Sequence, residues 1–354
     1  MDEAEIICER RGACGFVLFN RPRALNALTP GMTLALAEAL AAWERDPAVE
    51  RVVARGAGER AYCAGGDIRL IYEQGLAGDH AGQLAFWRAE YRLNQTIARY
   101  PKPYVALMDG FVMGGGVGVA IHGSHRIAGD KLGFAMPEVG IGFFPDVGAT
   151  YFLPRLPGAL GTYLGLTGAR VGAGDAVATG LASAFAPSSR FDDLAEALTK
   201  TGDTDAIVAA FSTNAPPPEL AAHRRLIDAC FGAPDIAGVL RGLDAAAAAG
   251  DAFAGATAVA LRKMPPTSLA IGLRQMRLGG ELSIEEALRV EFRVVSRVCR
   301  MPDFYEGIRA AIIDRDGAPK WTPARLEDVD PAGVDACFAP LGADELAFDQ
   351  GGPA

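Results

Sequence analysis

Three consecutive glycines, Gly114 to Gly116, lead into the small-residue run Val117 to Ile121, and together they read as a loop entering a helix. Glycines there leave backbone N–H groups bare, and a helix start adds partial positive charge, so the place suits an anion or a developing oxyanion. A second glycine turn, Ala64-Gly65-Gly66, precedes Asp67, which is placed to cap a helix beginning near Ile68. A single Gly-Gly pair is usually only a tight turn. Two such turns, each after a strand and before a helix, raise the functional reading. Glu138 lies in FAMPEVGIGFF and Asp146 in FFPDVGATYFLP. Carboxylates among Phe, Met, Val and Pro are costly unless they have partners or chemistry. The combination predicts acyl-group chemistry on a thioester, with oxyanion donors from the glycine turns and acid–base or nucleophilic work from Glu138 and Asp146. Blander readings compete: Glu138 paired with Arg126 or Arg155, Asp146 merely capping a helix from Val147 to Leu153, and Glu90 on a solvated helix face.

The positioning elements follow from the pattern. Residues 3–20 read as two strands around Arg11-Gly12, Arg51–Ala54 and Tyr104–Met108 as further strands. Thr29-Pro30 is an N-cap followed by proline at the first helical position, for a helix over Met32–Trp43. Residues 80–100 make an amphipathic helix with Phe86, Leu93 and Ile97 on one face and with Glu90 and Tyr91 in it. After Leu156 the pattern is helical, with a capping box at Ser283 and Glu286 and a tail expected to fray from Phe338 to the final QGGPA. Strands alternating with helices predict an α/β fold.

Composition narrows the function. The chain has 354 residues, half of them hydrophobic, and a formal net charge of −9. That describes a soluble globular protein and disfavours nucleic acid as a partner. No uncharged apolar run is long enough to read as a membrane span. The six cysteines and four histidines show no metal-ligand spacing, so no metal is expected. The N-terminus, MDEAEIICER, reads as neither secretory signal nor Arg/Ser-rich transit peptide, and the expected compartment is the cytoplasm. GGGVG lacks the offsets of a dinucleotide fingerprint, and no GxSxG elbow or P-loop is present.

The pieces RALNAL (23–28), YCAGGDIR (62–69), KPYVALMDGFVMGGGVGV (102–119) and MPEVGIGFFPDVGATYFLPRL (136–156) resemble the crotonase superfamily. Within it the chain looks like the 3-hydroxyisobutyryl-CoA hydrolases, through Asp146 in FFPDVG, RAEYRLN (88–94), PTSLAIGLRQM (266–276) and DFYEGIRAAIIDRDGAPKW (303–321). The resemblance implies a spiral of ββα units over residues 1–190, carrying the acyl-CoA site, and a mainly helical extension over 191–354. It implies that the amides of Gly66 and Gly115 hold the thioester oxyanion, and that Glu138 and Asp146 are the catalytic carboxylates. Glu138 would act as nucleophile, through a mixed anhydride, or as general base. Asp146 would position the substrate hydroxyl or Glu138 and shuttle a proton. Glu90 would contact substrate. The backbone of Ala64, Gly65, Gly66, Asp67 and Ile68, with the loop at Leu25 and Asn26, would hold the CoA arm. No separate cofactor is implied, since CoA is part of the substrate, and relatives of this fold often assemble as trimers. Hydratases of the fold carry a second glutamate where this chain has Gly118. Hydration of a double bond needs two carboxylates on the water and the α-carbon, so the glycine disfavours it. An enoyl-CoA isomerase using Glu138 alone, or a non-catalytic acyl-CoA-binding protein, are the other readings.

Overall fold

The computed structural model describes residues 4–348. It forms two compact units, one of residues up to Asp67, Leu93–Ala135 and Arg170–Ala221, the other of Ile68–Arg92, Met136–Ala169 and Ala222 onward.

The first unit holds the strands: β1 (Ile6–Arg11), β2 (Cys14–Phe19), β3 (Arg51–Gly56), β4 (Ala61–Cys63), β5 (Tyr104–Met108), β6 (Phe111–Met113), β7 (His125–Ala128), β8 (Gly133–Ala135) and β9 (Ala184–Phe185). They form a six-stranded sheet, β1-β2-β3-β5-β7-β9, and a three-stranded sheet, β4-β6-β8. Between the named strands only the β1–β2 hairpin is antiparallel; their other described pairings are parallel. Each strand pair β3/β4, β5/β6 and β7/β8 sends its first member to the large sheet and its second to the small one, as repeated ββα units require. Val52 to Ala54 in β3 and the whole of β5 are continuous apolar runs because strands of a covered parallel sheet are buried on both faces. Phe16, Val53, Val105, Leu107 and Ile127 pack beneath the helices Phe191–Leu198 and Thr204–Phe211 through Phe191, Leu194, Leu198 and Val208. Each such side chain contributes roughly 1.5–3 kcal/mol on leaving water. The α/β class expected from alternation is the one observed.

Local signals placed most elements. Thr29 accepts from the Met32 amide and Pro30 opens the helix Pro30–Arg45, which runs past both ends of the Met32–Trp43 span given by apolar spacing. Ser283 and Glu286 form the expected capping box at the helix Ile284–Val298.

The second unit is helical, and its C-terminal segment corrects an expectation. Residues 338–348 are not frayed: Phe338 and Leu346 are buried. Arginines of the helices His80–Ala98 and Ile284–Val298 hold the segment by its main-chain carbonyls. Arg88 donates to Asp344 O and Glu345 O, Arg92 to Ala347 O, and Arg289 to Leu346 O. Arg293 pairs with the Glu345 carboxylate at 2.9 Å. A terminus frays unless it is tied down, and here most of the ties are made by the neighbours' side chains to backbone that any sequence offers. The closing QGGPA lies outside the described residues. Among the described residues no helix is long and apolar enough to cross a membrane.

Candidate active site

In the first unit the two glycine turns leave the same ends of neighbouring parallel strands, since β4 pairs with β6 and each turn follows directly. They lie against each other. A Cβ on Gly65, at φ +119°, would sit 3.6 Å from Met113 O and 4.0 Å from the Gly115 nitrogen. A Cβ on Gly116 would overlap the Cys63 carbonyl. Gly114 adopts φ 49°, ψ −126°, a conformation open to glycine. The helix that follows is Gly115–Gly118, shorter and earlier than expected. The loop at Leu25 and Asn26 is stitched to the 64–67 turn: Ala64 N donates to Leu25 O, Leu28 N to Gly65 O, and Asp67 N to Leu28 O. Those bonds occupy the amides of Ala64 and Asp67, and none of the hydrogen bonds of this turn uses the amide of Gly65 or Gly66. Gly115, first residue of its helix, likewise has no intrahelical acceptor for its N–H. The side chain of buried Asn26 is spent on Arg21 N, Ala57 O and Ala61 O, which hold Leu25 and Asn26 at φ 53° and 58°. The Asp67 carboxylate pairs with Arg21 at 3.0 Å.

Glu90, Glu138 and Asp146 all fall in the second unit and all are buried. Neither proposed cation takes Glu138: Arg155 donates to the carbonyls of Tyr151, Gly279 and Leu282, and Arg126 to Gly123 O, Leu181 O and Gly180 O. Glu138 Oε2 and Glu90 Oε1 are buried with no hydrogen-bond partner. Burial first, and then the Asp146 charge, push both carboxyls well above the usual range. Asp146 does not cap the next helix, which is Ala149–Phe152 with Gly148 at its N-cap. Instead its Oδ2 accepts from the Tyr91 hydroxyl at 2.9 Å. Burial pushes Asp146 up to about 7, against the downward pull of that hydroxyl. Carboxyls raised toward neutrality can both give and take protons near physiological pH. Glu90 is no solvated-face residue: the buried positions of its helix run Gln83, Phe86, Trp87, Glu90, Tyr91, Leu93, Asn94 and Ile97, the spacing of a broad core stripe.

Sequence reasoning missed a further buried carboxyl, Glu291, in the helix Ile284–Val298. The signal was there: Glu291 occupies the apolar stripe of Ile284, Leu288, Val295 and Val298, where an acid is out of pattern. Burial and the Asp146 charge push it up to about 8. A pH test follows for the group nearest Asp146. The Tyr91 hydroxyl favours the ionised carboxylate, so Tyr91→Phe raises the Asp146 pKa. The acid limb of kcat/KM for thioester cleavage is expected to move up by about one pH unit, the equivalent of a charge-assisted hydrogen bond of about 1.5 kcal/mol. An unmoved limb would detach Tyr91 from the titration. Metal chemistry has no ligand set among the described residues; His125 bonds Asp205 and Ser124.

Comparison with known proteins adds the family. The enoyl-CoA hydratase/isomerase family model matches residues 14–338. A 3-hydroxyisobutyryl-CoA hydrolase, mitochondrial, of Danio rerio is 41% identical over 97% of this chain and 91% of its own. The protein of that name from Homo sapiens is 39% identical over the same shares. A structure of a carnitinyl-CoA dehydratase from Mycobacterium thermoresistibile superposes with a TM-score of 0.93 at 42% identity, covering 99% of this chain and 100% of that one. One of an enoyl-CoA hydratase from Rhodobacter sphaeroides gives 0.91 at 43% identity over 98% and 100%. The relatives' names correct the cytoplasmic expectation, for they place those proteins in mitochondria. Compartment is not written into the packing of a folded body, and the composition of the first ten residues was too little to decide it. With a family model over most of its length, relatives matched nearly end to end and the strand-pair repeat seen in its sheets, the chain belongs to the enoyl-CoA hydratase/isomerase, or crotonase, family.

Proposed function

We propose that the chain hydrolyses a short branched 3-hydroxyacyl-CoA, 3-hydroxyisobutyryl-CoA, to 3-hydroxyisobutyrate and CoA. The observation that carries the reading is the buried pair Glu138 and Asp146 together with a buried glycine at 118. The names of the relatives matched nearly end to end support it. Hydrolysis breaks the C–S bond and adds the elements of water across it. The amides of Gly66 and Gly115 are the donors proposed for the oxyanion that forms when the carbonyl is attacked. Glu138 attacks that carbonyl or takes the proton of the attacking water. Its desolvated setting makes it a stronger base once ionised, at the cost of a smaller ionised fraction at neutral pH. Asp146, held by Tyr91, orients the substrate hydroxyl or Glu138 and passes a proton toward the departing thiolate. Glu90 contacts the acyl group. The main chain at Leu25 and Asn26 and from Ala64 to Ile68 takes the CoA arm. CoA enters as part of the substrate, and no resident cofactor is invoked. The reaction fits a step of valine breakdown.

The test is thiol release over a panel of short acyl-CoAs, run beside assays for water addition to a 2-enoyl-CoA and for 3-enoyl-CoA isomerisation. Thiol release greatest with 3-hydroxyisobutyryl-CoA supports the reading. Hydration or isomerisation without thiol release, or saturable acyl-CoA binding without turnover, overturns it.

A further inference from the structure

The segment that carries Asp146 is held from two sides by residues outside the glycine turns and the carboxyl pair. Glu291 is fully buried, and each of its oxygens accepts one backbone amide of this segment: Gly148 N at 2.7 Å and Thr150 N at 2.8 Å. From the helix Pro266–Leu278, buried Gln275 donates to Pro145 O and to Thr150 Oγ1, both at 2.9 Å. The three anchored residues, Pro145, Gly148 and Thr150, bracket Asp146 on both flanks. Between them Val147 sits at φ +53°. A β-branched residue in the left-handed region is a strained outlier that persists only where its surroundings over-determine it. Gly148 follows at φ 91°. A carboxylate taking two consecutive-turn amides is the cap of a helix start made from a distance, since the helix Ala149–Phe152 has no side-chain cap of its own.

We propose that Glu291 and Gln275 are positioning residues that lock the Pro145–Thr150 turn in its strained form and so aim the Asp146 carboxyl at the Tyr91 hydroxyl. The inference rests on the hydrolase reading, through the role given there to Asp146. Glu291 has a geometric duty that glutamine cannot copy. A carboxyl group, ionised or not, presents an oxygen acceptor to each amide, whereas a side-chain amide offers one acceptor and turns donors toward the other N–H. Gln275→Met is the matching change on the opposite side, preserving volume while withdrawing both donated bonds.

The experiment is a double-mutant cycle on thiol release by the full chain, pairing each of Glu291→Gln and Gln275→Met with Asp146→Asn. Each single positioning variant is expected to lower kcat by about 100-fold, the scale of a misplacement of about 1 Å, with KM nearly unchanged. In the Asp146→Asn background the same change is expected to cost less than about 3-fold, because groups that act through one another are non-additive. Additive losses in both cycles, or wild-type kcat in either single variant, overturn the inference and leave the hydrolase reading standing. If Asp146→Asn itself turns over at the wild-type rate, the hydrolase reading fails first. Should Glu291→Gln not fold, the Gln275→Met cycle decides alone.

Discussion

Glu138→Gln is expected to lower kcat for thiol release by about 10²–10⁴, the range that a positioned acid–base group supplies, with KM altered far less. The substitution keeps shape and removes only the ability to ionise. Its structural cost is small for a stated reason: Glu138 Oε2 has no hydrogen-bond partner to lose, and its burial already penalises the charge. A neutral amide is spared that penalty, so the thermal midpoint at pH 8 is expected to hold or rise while turnover collapses. Between the unfolded pKa near 4 and the higher folded value, the native state binds the extra proton, so this group's contribution to stability falls as pH rises. Removing the group removes that slope. Thiol release at the wild-type rate by the variant would end the assignment of Glu138, and a collapse of both folding and turnover would reassign it to structure.

Gly116→Ala is expected to destabilise the first unit by more than about 3 kcal/mol, the upper end of ordinary overpacking. Propensity argues the other way, since alanine in a helix is favoured over glycine by about 1 kcal/mol. Sterics decide the sign. The new methyl would overlap the Cys63 carbonyl, which is main chain and has no rotamer by which to withdraw. The strands on either side are fixed as well, by the β4–β6 pairing and by the Tyr62 hydroxyl on Val119 O at 3.0 Å. Relief therefore pushes the 114–118 turn off the 64–67 turn and displaces the Gly115 amide. The check is a urea unfolding midpoint, with thiol release measured on the folded fraction. Gly280→Ala serves as control, because a Cβ there meets nothing within 4 Å. An unshifted midpoint for Gly116→Ala would show that the two turns are not in contact.

Sequence carried the elements whose cause is local. The Thr29–Pro30 start, the Ser283/Glu286 box and the apolar run Tyr104–Met108 are each decided within a few residues, and each appears in the fold. The glycine turns and the carboxyls at 138 and 146 stood out because their residue types conflict with their surroundings. What stayed hidden depends on partners far along the chain. Asp146 reads as an N-cap until Tyr91 is seen to occupy its oxygen. Glu90 reads as a solvated residue until its whole helix is known to be buried on that stripe. Glu291 meets the 146–150 segment across 143 positions of sequence, a distance at which no motif operates. The compartment lies beyond any of these arguments and was corrected by relatives.

The C-terminal segment carries one more consequence. Arg88, Arg92 and Arg289 grip carbonyl oxygens at 344–347, groups that every amino acid supplies. The clasp thus reads the path of the polypeptide rather than its spelling. Drift at Asp344 and Ala347 is free to accumulate over evolutionary time, whereas loss of a guanidinium on the receiving helices leaves a carbonyl unanswered. Searches for an inherited signature of this closure will find it in the arginines, and in the tail at Glu345 and Leu346, whose side chains pair and pack.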